Sequence, residues 1–332
     1  MRLAKWDNLK FILMYTVVLG HFTNLLQTDS TLLSGMQVFV YMFHMPAFLF
    51  VSGLFSKKTV DERRYDKMFP YLVLYFFMVA FRFLVYSVAG GSVKSIRLFS
   101  EAGLPWFALV LFLFYIVTAQ VSRLSHSYLL IVSIGMGMLA GYATNLGSFL
   151  SGMRFFTFYP FFLLGYCIPL DRLTQWTQKR WVKVSSAVFL LAVLAASYLY
   201  EPQLRRYMNF FKGKTTYAKV DMAVYGGICR GFYYLFVFAL IIAVIAVVPS
   251  VRTCFTTWGQ RTVQVFALHM PIIRVLMQNF HLEEHLAAWI PRYGCVVPVL
   301  ALILTIVLSL RIWQPFFDWL MHGGRKKARV TA

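Results

Sequence analysis

Three histidines stand inside apolar stretches of this 332-residue chain: His21, His44 and His269. Ionisable side chains are costly in hydrocarbon, so those found there are the first candidates for chemistry. His21 closes the stretch "WDNLKFILMYTVVLGHF" (Trp6 to Phe22), which opens on Asp7, Asn8 and Lys10. At about 100° per residue, the step from Lys10 to His21 returns to within about 20° of the same helix face, about 16 Å further along the axis. Asp7 lies about 40° off that face. The three make one polar stripe on an otherwise apolar helix. Lys10 and His21 are too far apart to touch, so they suit the two ends of a long ligand. An imidazole shielded from water stays neutral and can accept a proton, as a general base must. The plainer alternative is a histidine bonded to a neighbouring helix for packing alone.

His44 stands in "FHMPAFLFVSGLFSKK". Pro46 deprives the carbonyl near Met42 of its helical donor and favours a kink beside His44. Ser52 and Gly53 allow a close helix approach. Lys57 and Lys58, then Arg63 and Arg64, form a basic cluster. Such a cluster is a topology signal or a cradle for the phosphates of a nucleotide-like donor. His269, in "VFALHMPIIR", repeats the His-Met-Pro order, a match too short to imply a duplication. Arg82, Arg154, Arg230 and Arg274 complete the ionisable residues in or beside apolar runs. The sequence has no Gly-rich phosphate loop, nucleophile elbow or metal-ligand spacing, and no metal is expected.

The elements that must position these groups follow from composition. The chain is 60% hydrophobic and only 13% charged, which excludes an ordinary soluble domain. An all-α polytopic membrane bundle is expected, with ten spans at about 9–27, 34–55, 69–89, 105–121, 128–143, 155–170, 182–200, 226–248, 262–280 and 293–313. The first run lacks a cleavage-site pattern and reads as a retained span. The basic segments "SKKTVDERRYDK", "DRLTQWTQKRWVK" and the tail "GGRKKARVTA" then place both termini in the cytoplasm. Residues 1–332 read as one integral domain with no attached soluble domain, in the cell membrane. The net charge of +20 sits in short loops, which points to anionic lipid headgroups of the bilayer rather than nucleic acid. One outer loop, Glu201 to Tyr225, breaks the charge rule with Arg205, Arg206, Lys212, Lys214 and Lys219. It reads as an interfacial segment or as a surface for an anionic or sugar-bearing acceptor. The four cysteines are isolated and read as packing residues.

Taken together, "WDNLKFILMYTVVLGHF", "FHMPAFLFVSGLF" (Phe43 to Phe55), "PWFALVLFLFYI" (Pro105 to Ile116), "RFFTFYPFFLLGY" (Arg154 to Tyr166) and "LHMPII" (Leu268 to Ile273) resemble the acyltransferase 3 family. The resemblance is nearest to the fucose 4-O-acetylase-like branch of that family of integral-membrane acyltransferases. The family's basic residue, ten intervening residues and histidine stand here as Lys10 and His21, with Lys where many members have Arg. The resemblance implies transfer of an acetyl group from cytoplasmic acetyl-CoA to a hydroxyl of a cell-surface or secreted glycan, or of its lipid-linked precursor. Lys10, Lys57 and Lys58 would face the acyl-CoA phosphates, with Asp7 orienting Lys10 or touching the donor. His21 would act as base or as acyl relay. His44, Arg154, Arg230 and His269 would bind the acceptor. Glycan biosynthesis proteins are candidate partners. Succinyl transfer to polysaccharide, with Arg82 or Arg274 meeting the extra carboxylate, and export of a glycan or lipid-linked sugar are the alternatives.

Overall fold

The computed structural model describes residues 4–26, 30–88, 98, 103–146, 149–287 and 294–323. The basic tail after Gly323 lies outside the described residues. Among the described residues every regular element is helical. The helices are α1 (Ala4–Leu25), α2 (Thr31–Leu54), α3 (Lys57–Asp61), α4 (Tyr65–Val88), α5 (Trp106–Val121), α6 (His126–Ala140), α7 (Gly152–Cys167) and α8 (Leu170–Thr177). They continue with α9 (Arg180–Leu199), α10 (Glu201–Arg206), α11 (Met208–Phe211), α12 (Gly226–Val247), α13 (Thr262–Gln278), α14 (Leu282–Ala287), α15 (Val296–Leu308) and α16 (Gln314–His322). Hydrocarbon offers a backbone no hydrogen bonds, so an apolar run closes its own as a helix.

A helix occupies each of the ten expected apolar stretches, but they are unequal. α2, α4, α9 and α12 are each long and apolar enough to cross a membrane alone. Two bent pairs, Phe149–Cys167 with α8 at 91° and α15 with Arg311–His322 at 46°, raise that number to six if each pair is one span. α5 and α6 are shorter apolar helices of 16 and 15 residues.

α2 is central. Its most extensive partner is α7, and it also packs against α1 and α9. The α2–α7 approach depends on two facing glycines. A Cβ on Gly53 would stand 2.0 Å from the Phe162 carbonyl oxygen, and one on Gly165 would stand 2.1 Å from that of Phe50. Pro46 stands inside the same helix, and the carbonyl it releases at Met42 accepts a 2.8 Å hydrogen bond from the Tyr233 hydroxyl of α12. An unsatisfied buried carbonyl is thereby avoided.

Two apolar clusters make up the interior. Leu9 and Leu13 of α1 belong to the one built around α2, α5, α7 and α12. Met14, Val17, Val18 and Phe22 belong to the other, with α4, α13 and α15. α1 therefore runs along the seam between the clusters, and its polar stripe lies where two packed bodies meet.

Candidate functional site

The polar end of α1 is clamped. Asn8 is fully buried. Its Nδ2 donates to the carbonyls of Pro249 and Val251, each at 2.9 Å. Its Oδ1 accepts from Thr253 at 3.0 Å and Thr256 at 2.6 Å. The segment before α13 is thus pinned against the first turn of α1. Gly259 completes the contact, because a Cβ there would stand 1.8 Å from the Asp7 carbonyl oxygen. Asp7, 2% exposed, accepts from Gln260 at 3.1 Å and pairs with Lys10 at 2.7 Å. Its carboxylate therefore aims Lys10 and Gln260 together.

Both side chains line a cavity of about 290 Å³. The rest of its wall is mainly apolar, ending inward at Val17, Met45, Phe107 and Phe266. A larger cavity of about 860 Å³ adjoins it, sharing Phe55, Tyr71, Tyr115, Gln260 and Val263. Arg64, Lys67, Arg261 and Arg311 line the larger one. Arg261 is held there by Gln314 at 3.1 Å and the Ser309 carbonyl at 3.0 Å. Lys57 and Lys58 are exposed on α3 and line neither cavity; Lys57 sits 5.6 Å from the Tyr166 ring centroid.

The three histidines come together at the other end of α1. His21 and His269 have ring centroids 5.2 Å apart. His44 interacts electrostatically with His21 and stands edge-on to Tyr41, with centroids 5.0 Å apart. Tyr41 donates to the Gly20 carbonyl at 3.2 Å, which ties α2 to the turn that carries His21. His44 and His269 hold their rings alike: Nδ1 meets the Val40 carbonyl at 2.7 Å and the Val265 carbonyl at 2.8 Å. A carbonyl only accepts, so each Nδ1 carries the proton and each Nε2 is left with a lone pair. His269 is fully buried, and its Nε2 has no hydrogen-bond partner. His21 is half-buried. The inner cavity stops one helical turn, about 6 Å, short of it at Val17.

Arg154 and Lys212 flank this cluster. The Arg154 guanidinium stacks on Trp106 at 4.5 Å, joining the starts of α7 and α5. Lys212, just after α11, lies 4.3 Å from the Tyr41 ring centroid and donates to Asn24 at 3.3 Å. Arg230 sits apart from the imidazoles, 2% exposed. It donates to the Phe210 carbonyl at 2.9 Å and stacks on that residue's ring at 3.6 Å, so it anchors the 201–225 segment. Arg82 and Arg274 converge elsewhere, on Tyr86, at 5.8 and 5.5 Å.

Sequence reasoning passed over Tyr41, Gln260, Arg261 and Arg311. Tyr41, one turn before His44, carried a spacing signal. The other three stand in the cavities because of contacts remote in the chain. No curated protein and no solved structure gives a significant match to this chain. A family model does: that of the acyltransferase 3 family, described as an acyltransferase domain, matches residues 3–314. With nearly its whole length matched, the chain belongs to the acyltransferase 3 family.

Proposed function

We propose that this chain is a multi-pass cell-membrane O-acyltransferase. It takes an acetyl group from cytoplasmic acetyl-CoA and delivers it to a hydroxyl of a cell-surface or secreted glycan, or of its lipid-linked precursor. One arrangement carries the reading: a basic cavity leads along the Lys10 end of α1 toward the imidazoles at its other end. The four cations of the larger cavity suit the phosphates of coenzyme A, since guanidinium groups match phosphate geometry. The narrower, apolar cavity suits the pantetheine arm, with Lys10 at its side. The charge bias of the loops assigns this end, and both termini, to the cytoplasm. Donor binding has to part Val17 and Phe266 for the thioester to reach His21.

In the transfer, a neutral His21 nitrogen takes the proton of the acceptor hydroxyl as its oxygen attacks the thioester carbonyl. The new ester forms, the C–S bond breaks, and the departing thiolate takes that proton as free coenzyme A. In the relay variant the acyl group rests on His21 between two such steps. The His269 Nε2 lone pair has no partner of its own, and a small turn of either ring would let it accept a His21 N–H and so set which His21 nitrogen faces the substrate.

His21→Ala should insert normally and lose acetylation by at least about 10³-fold, the loss expected when a base or acyl relay is removed. The measurement is ester content of the surface glycans from cells carrying either form, with the released acid identified as acetate or succinate. Normal ester content in the variant would sink the assignment. Purified protein that moves a glycan across vesicles without cleaving a thioester would replace it with a transporter.

A further inference from the structure

Arg154 and Lys212 form a pair of cations with no acidic partner among the described residues. The fold does supply carboxylates to other cations: Lys10 has Asp7 at 2.7 Å, and Arg205 has Glu201 at 3.6 Å. Arg154 and Lys212 have aromatic faces instead, Trp106 and Tyr41. The Arg154 Nε is buried without a hydrogen bond. The two cations also repel each other. Burial, then Lys214, then Arg154 push the Lys212 ammonium down to about 8. Two like charges held half-buried side by side are stabilised by a bound anion. Their place is specific. Arg154 interacts with Tyr41, and Lys212 with both His21 and His44. Exposed Asn24 and half-buried His21 border them.

We infer that Arg154 and Lys212 bind an oxyanion of the acceptor, a sugar carboxylate or a phosphate, and so hold its reacting hydroxyl beside His21. The use made of the site rests on the acyltransferase reading; the Lys212 and Arg154 variants test the binding itself. Arg154 presents a flat guanidinium fork to two oxygens, and Lys212 supplies a point charge from the loop. The basic loop thereby selects acceptors by charge, and neutral sugars lack the group that anchors them.

The experiment uses the full chain in lipid nanodiscs with saturating coenzyme A, which occupies the separate basic cavity. Thermal unfolding is followed with methyl β-D-glucuronide, glucose 6-phosphate and methyl β-D-glucoside at matched ionic strength. At least one anionic sugar should raise Tm saturably, and the neutral glucoside should not. Which anionic sugar does so identifies the oxyanion. Lys212→Gln and Arg154→Gln should each weaken that response by about tenfold in apparent Kd, and Lys212→Arg should preserve it. Lys212 lies outside the long helices, so its variants report even where Arg154→Gln fails to insert. No response to either anionic sugar, an equal response to the glucoside, or undiminished affinity in Lys212→Gln would overturn the inference. A protein that binds the anionic sugar yet never releases coenzyme A refutes the enzyme assignment alone. One that acylates a glycan without this binding refutes the anion site alone.

Discussion

His44 and His269 occupy the same local device in different company. Each belongs to a His-Met-Pro run, and each donates Nδ1–H to the carbonyl four residues earlier. That fixes one tautomer and leaves Nε2 as a lone pair. His269 then meets a second imidazole, while His44 meets a phenol ring and lies within electrostatic reach of Lys212. The tripeptide prepares a base. The neighbouring helices decide whether that base faces another imidazole or a phenol ring and a cation.

Substitutions at the two histidines should separate their roles. His269→Phe keeps a ring but removes the Nε2 lone pair beside His21, and should lower kcat by about 10²-fold with little change in acceptor KM. His44→Gln should act the other way, raising acceptor KM by about tenfold with a small effect on kcat. Steady-state kinetics that show the same kcat loss for both would erase the distinction.

A smaller effect separates the two sides by pH. The Lys212 ammonium is present below about 8 and lost above it. Its surroundings are Arg154, Lys214, Tyr41, His21 and His44. Acceptor KM should therefore rise several-fold between pH 7 and 9, and Lys212→Arg, which keeps its charge, should flatten the profile. The smallest effect is structural. Tyr233→Phe leaves the carbonyl released by Pro46 unpaired and should destabilise the fold by about 1 kcal/mol, read as a lower Tm, with kcat nearly unchanged.

Much of this was legible in the residues because it is local. The apolar runs gave helices where they were expected, since a backbone in hydrocarbon has no other way to satisfy itself. The Asp7–Lys10 pair follows from i,i+3 spacing on one helix face. The Met42 carbonyl was freed by a proline four residues on, which any helix would require. The number of complete crossings was less legible. Breaks beside Ile168 and Ser309 turn apolar stretches into bent pairs, and hydropathy does not register a bend.

Residue types and their order suffice for the helical class, the polar stripe of α1 and the two prolines that follow His44 and His269 by two residues. Each depends on spacing along one helix. Helix packing brings Gln260 to Asp7 and sets Arg261 and Arg311, rather than Lys57 and Lys58, in the wall of the basic cavity. It alone brought His21 against His269 and set Lys212 over Tyr41. These pairs lie far apart along the chain, and the contacts that join them come from helix packing, to which no single segment is privy.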